Sequence, residues 1–265
     1  FLYLAEAGMT AWRLHWQWHG HQDYARVSGE PSYNVWMKEG YFRTRFPGQA
    51  AFIIPPLAHY SNGPCGFAYD PGTALNDNYR NCFFLAQGRR LSAFRVRPKG
   101  AAFEMYDERA LNDGIHNTGL AFGPGGALYV ADWMNGPSER GRIWKLDDPA
   151  AATSSARKRT RELLAAGTVM LSLVELVASL AEPDVRVRKA AQFEFVRRGD
   201  KGLEALVAVA TRSQSRLARL HAIWGLGQFA RGWPGYGKPN PAAVLPLREL
   251  LDDSDLEIRS QAAKV

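Results

Sequence analysis

The chain has 265 residues, of which 46% are hydrophobic and 22% charged, with a formal net charge of +7 and a pI near 9.5. The length favours two domains, and no apolar run is long enough to cross a bilayer. Residues 1–150 hold 15 Lys and Arg against 14 Asp and Glu, and residues 151–265 hold 18 against 12. The basic excess thus follows a helical repeat without an aromatic stacking surface, and reads as a solvated face rather than a nucleic-acid interface.

The chain opens on Phe1-Leu2-Tyr3-Leu4, a strand pattern with no initiator Met and no signal-peptide layout. It closes on Ala262-Ala263-Lys264-Val265 inside a helical pattern, so a fragment of a longer protein is expected. Up to residue 147 the texture is rich in Gly, Pro and aromatics, with short alternating segments between turn residues. Phe1–Glu6, Ala11–Trp18, Phe52–Ile54, Gly66–Tyr69, Cys82–Leu85 and Leu91–Val96 are expected as strands. Gly119–Phe122 and Leu128–Asp132 flank a Gly123-Pro124-Gly125-Gly126 corner, which supplies the positive-φ positions a short hairpin needs. Arg142–Leu146 closes that group. Gly66-Phe67-Ala68-Tyr69 and Gly119-Leu120-Ala121-Phe122 start two similar modules about 53 residues apart, the texture of propeller blades. Cys65 and Cys82 form no C-x-x-C pair, which excludes a zinc ribbon or covalent haem in this stretch. Two readings remain for them: a disulfide, or small buried hydrophobes.

Residues 148–160 are polar, small and unpatterned, and are expected as a linker. Beyond it the period becomes helical. Val169–Ala181, which carries Glu175, is expected as a helix of a packed array. Asp184–Ala191 aligns with Ser215–Ala222 at an offset of 31, and that with Asp255–Ala262 a further 40 residues on; the Gly232–Asn240 loop accounts for the difference. Each unit offers an acidic or Ser N-cap, an apolar–Arg pair and a small Ala where helices approach closely. This is the pattern of HEAT repeats, whose helix pairs stack into a solenoid. Arg188, Arg219 and Arg259 are expected as struts pairing with neighbouring acidic residues.

Ile53–Ala58, Asn62-Gly63-Pro64-Cys65-Gly66, Asp70–Thr73 and Tyr79–Phe84 together resemble the propellers of quinone-dependent sugar dehydrogenases. Phe94–Phe103 and Gly126–Trp133 look more specifically like the membrane-bound dehydrogenase group of bacterial proteins, which join such a propeller to HEAT repeats. The resemblance implies this fold class: the last blades of a β-propeller over residues 1–147, then a truncated α-solenoid over 161–265. It implies oxidation of a sugar or alcohol hydroxyl with pyrroloquinoline quinone (PQQ) and calcium. The base would lie on earlier blades and a haem domain outside this stretch, in the periplasm or at the cell surface. The other reading is a non-catalytic propeller that binds carbohydrate or protein, with the helical array as the docking surface for a protein partner.

Six residues are candidates for contacting the cofactor: His59, Asn62, Arg89, Arg90, His116 and Asn117. A His followed by Asn recurs at the same position of successive modules, which points to one channel mouth. Arg89 and Arg90, expected in a loop, suit the carboxylates of an acidic quinone. Trp12–His21 places Arg13, His15, Gln17 and His19 on one strand face, for which metal binding, pocket lining and inter-blade packing all stand as readings. Asp132-Trp133 is read as a structural strand end.

Overall fold

The alternating segments pair into one open sheet of five strands, hydrogen-bonded in chain order: β1 (Pro64–Tyr69), β2 (Phe83–Lys99), β3 (Ala102–Phe122), β4 (Leu128–Asp132) and β5 (Arg142–Leu146). The structure is a computed structural model that describes residues 46, 57, 64–99, 102–133, 140–232 and 237–265. The strands expected over Phe1–Glu6, Ala11–Trp18 and Phe52–Ile54 lie outside the described residues. β2 pairs antiparallel with β3, and β4 with β5. The chain divides into two compact units, one of Phe1–Gly66 with Leu85–Thr118 and the other of Phe67–Phe84 with Gly119–Val265.

Two strands are far longer than their sequence patterns suggest. Phe83–Leu85 of the expected Cys82–Leu85 strand and all of Leu91–Val96 belong to one strand of 17 residues, and Gly119–Phe122 is the end of one of 21. The alternation breaks because the β2–β3 ladder shifts register between Gly88 and Arg90, Leu91 and Ser92, and Ala93 and Arg95. At each shift β3 carries the extra residues, two at the first and one at each of the others. A single extra residue moves the side chains after it to the other face, so a period-2 reading sees separate strands. At the β3–β4 corner only Gly126 takes a positive φ, of +85°. Gly126 N–H donates to the Gly123 carbonyl at 2.9 Å, which closes the turn.

The helices follow their caps. α1 (Pro149–Ala152) starts at Asp148, whose carboxylate accepts from the N–H groups of Ala150 and Ala151, with Pro in the first turn. α2 (Ser155–Ala166) is capped by Ser154 and stopped by Gly167 at φ +72°. The segment 148–160, expected as an unpatterned linker, is therefore mostly helical. α3 (Leu173–Ser179) opens on a capping box of Ser172 and Glu175. α4 (Val185–Arg197), α6 (Arg216–Arg231) and α7 (Leu256–Lys264) begin at Asp184, Ser215 and Asp255, the three caps expected from the repeat. α5 (Asp200–Arg212) lies between the first two, and a 3-10 helix, Pro241–Asp252, between the last two.

The helices bury one continuous apolar core that includes Leu176, Leu180, Ala191, Phe195, Leu206, Ala222, Ile223, Leu226, Leu250, Ile258 and Ala262. The expected small residues Ala191, Ala222 and Ala262 are all in it. Gly202 of α5 packs so closely on α4 that a Cβ there would overlap the Phe195 carbonyl. The strut arginines reach mainly to backbone rather than to acids. Arg188 Nη1 donates to the carbonyls of Glu182 and Pro183 at 2.6 and 2.7 Å, and Arg259 to those of Asp253 and Ser254. Arg219 alone of the three meets an acid, Asp253, while its Nε donates to the Ala210 carbonyl. The carbonyls of the turn before each helix need donors, and an Arg one turn into the helix supplies them.

One buried polar group in this core gives a pH dependence. His221 is 4% exposed, its Nδ1 lies 2.8 Å from Gln192 Oε1, and its ring meets Trp224 edge-on. Burial, and then the charge of Arg188, lower its pKa from 6.5 to about 4. The unfolded imidazole takes up a proton near pH 6.5, the folded one only near about 4. Between those values the unfolded state holds more protons, so stability is expected to fall as pH drops, by about 3 kcal/mol in all. Urea midpoints measured at pH 7.5 and 4.5 check this: His221→Gln should flatten the slope, and an unchanged slope would assign it to other groups.

Candidate functional site

Four of the six sequence candidates fall among the described residues, and the β2–β3 ladder brings them together. Gly88 pairs with Asn117 and Arg90 with Asp113, which sets Arg89 and Arg90 on β2 beside His116 and Asn117 on β3. The two arginines lie within a strand rather than in the expected loop, and both are exposed. Arg89 Nη2 is 3.5 Å from the Gly114 carbonyl, at the long limit of a hydrogen bond. His116 is half-buried. His59, Asn62 and the segment Trp12–His21 lie outside the described residues.

Asn117 differs from the other three. It is 1% exposed, and its amide nitrogen donates to the Gly88 carbonyl and to Asn112 Oδ1, each at 3.4 Å. Its backbone carbonyl accepts from the Cys65 thiol at 2.8 Å. Its side-chain oxygen is buried and has no hydrogen-bond partner among the described residues. Asn117 thus holds strands together. Both cysteines are free; Cys82 is fully buried and Cys65 exposed, so the reading as a small hydrophobe describes Cys82 alone.

A second cluster, which sequence reasoning missed, lies in the other unit. Asp184, 0% exposed, caps α4 through the Arg186 N–H, pairs with the Arg186 guanidinium at 2.8 Å and accepts from Thr73 Oγ1 at 2.7 Å. Thr73 Oγ1 also meets Thr160 Oγ1 at 3.2 Å, and Val185 N–H donates to the Pro71 carbonyl. Arg186 Nη1 continues to the carbonyls of Phe122 and Gly123. Arg157, 4% exposed, donates to the Gly125 carbonyl at 2.6 Å and pairs with Asp147 at 2.8 Å. Burial would raise the Asp147 pKa, but the bonds and charge of Arg157, with help from Lys145, hold it below the usual carboxylate range. Asp148 accepts from the Ala151 N–H and from Asn76, which lower its pKa.

A cleft of about 500 Å³ opens on this cluster, bordered by Thr73, Asn76, Asp77, Arg80, Asp148 and Ser154. Its polar groups are engaged with one another: Arg80 bonds the Gly72 carbonyl and Asp77, and Asn76 bonds Asp148. The cluster therefore joins segments distant in sequence. Its signal in the sequence was Asp70-Pro71-Gly72-Thr73, which reads only as a turn until its partners 87 and 111 residues away are known.

The helical region also matches a known family model. Residues 173–265 match the model of the HEAT-repeat family. The match begins at α3 and runs to the last residue, so it takes in the three caps and the three arginine struts. No curated protein matches the chain, and no solved structure does. Among the described residues no three His, Cys, Asp or Glu side chains gather into a set that would hold a metal ion. No described helix is long and apolar enough to cross a membrane.

Proposed function

We propose that the sheet is part of a quinone-dependent sugar or alcohol dehydrogenase-like propeller, and that the HEAT array beside it in sequence docks a protein partner. The observation that carries the first half is the placing of Arg89, Arg90 and His116 on adjacent strands of one ladder. Two exposed guanidiniums next to an imidazole suit the several carboxylates of PQQ, each through charge-assisted bonds. When bound, the quinone would accept the electrons of a hydroxyl group being oxidised. The part played by these residues is to hold and orient it. The second half follows from the array itself, because stacked repeats expose one continuous surface.

A specific observation favours a second reading, a non-catalytic binder. The Asn117 amide and carbonyl are already engaged in holding β2, β3 and Cys65, which takes most of its polar capacity away from a ligand.

The test is titration of PQQ, with and without calcium, into the full-length protein and its Arg89→Ala/Arg90→Ala variant. Losing a charge-assisted contact should weaken binding by about 1.5–3 kcal/mol, or roughly tenfold or more. Unchanged affinity removes the arginines from the site. No binding of PQQ by the parent protein, together with binding of a saccharide, would replace the oxidoreductase by the binder.

A further inference from the structure

We propose that the outer edge of β5 docks an extended acidic segment of a partner protein, which adds to the sheet as a further strand. Among the described residues β5 is the terminal strand of the sheet, paired with β4 on one side. Four of its five residues, Arg142 to Lys145, are exposed. Such an edge carries a row of backbone N–H and C=O groups that water satisfies until another strand does.

The side chains around this edge favour contact over solvation. Ile143 is 69% exposed and Trp133, at the end of β4, is 64% exposed. Trp144 stands over the same edge with its indole N–H held by Asp132 at 2.9 Å, and Arg142 lies above its ring. Ile143 leaves apolar surface open on one face of the strand and Trp144 on the other, and the side chains of an added strand would pack beside each.

Charge selects the occupant. Residues 140–146 hold Arg140, Arg142 and Lys145 and no acid. Lys145 reaches Asp147 beyond the strand end at 3.3 Å, but Asp147 is shared with the buried Arg157. A second copy of the chain pairing edge to edge would set these three cations against three more. A strand with Glu or Asp at alternate positions meets Arg142, and Arg140 just before the strand, with opposite charge on one face, while Lys145 lies on the other. The inference is independent of any redox role for the sheet, since it involves none of Arg89, Arg90, His116 or Asn117.

The experiment uses a labelled, end-blocked peptide of alternating Glu and Val, titrated into the protein by fluorescence anisotropy, with amide hydrogen exchange of residues 142–146 followed in parallel. The expected result is binding that weakens with added salt, protection of β5 amides, and no binding of a Lys-Val peptide. Arg140→Glu/Arg142→Glu, two exposed positions, should weaken binding about tenfold and let the Lys-Val peptide bind. Binding without β5 protection, or binding that charge reversal leaves intact, would overturn the proposal. So would sedimentation showing self-association that protects the same amides, which would make a second copy the occupant. Absence of binding with the β5 amides open would mean that the cations only keep the edge single.

Discussion

Asp184→Ala is expected to lower the free energy of unfolding by about 3–5 kcal/mol, the cost of removing one partner from a buried ion pair. The carboxylate is wholly buried and serves three groups at once: the first-turn N–H of α4, the Arg186 guanidinium and the Thr73 hydroxyl. Alanine leaves the helix uncapped, and caps alone contribute about 0.5–2 kcal/mol. It also leaves the Thr73 hydroxyl short of an acceptor. Asp184→Asn keeps an oxygen for the cap and loses the charge, so a smaller loss is expected. Thr73→Val alone should cost about 1–3 kcal/mol, and the two changes together less than their sum, because they share one bond. Denaturant unfolding of the four proteins in the cycle checks this. A loss for Asp184→Ala under about 1 kcal/mol would show that solvent reaches the carboxylate and supports it already.

Phe195→Ala should cost about 3–5 kcal/mol, through lost burial plus the cavity left behind. Phe195 is fully buried in α4, in the same apolar cluster as Leu176, Leu180 and Leu206. The cavity will not close by moving α5 inward, because Gly202 already lies against the Phe195 backbone. In a stacked array each repeat is held chiefly by its neighbours, so the damage should concentrate locally. Hydrogen exchange should speed most in α3–α5 and least in α7. Uniform acceleration through α7 would mean that the array unfolds as one cooperative body.

The helical repeat was legible because its information is local. Asp184, Ser215 and Asp255 are caps whose targets lie two or three residues on, so a residue type at a fixed offset suffices to place a helix start. The small alanines were legible for a similar reason, since helical period fixes which residues face inward. The arginine struts were half legible. Their recurrence is in the sequence, but that Arg188 and Arg259 serve backbone carbonyls depends on the turn geometry before each helix.

The candidate site was legible in composition and not in arrangement. Arg89, Arg90, His116 and Asn117 were found as residue types, yet which of them stays open to a ligand follows from the β2–β3 register. The register shifts at Gly88, Leu91 and Ala93 decide which face each side chain takes, and Asn117 ends up buried as a tie between strands.

The sequence by itself determined the starts of α4, α6 and α7, the repeat spacing and the strand–glycine–strand corner at Gly123–Gly126, since each depends on neighbours a few residues away. Only the tertiary structure decided that residues 148–160 fold into helices with a buried polar face. Arg157 and Thr160 look like surface residues, and they bury because Asp147, the Gly125 carbonyl and Thr73 satisfy them. A polar side chain goes inside when its partners are waiting there, and those partners, up to 87 residues distant, are brought to it by the fold.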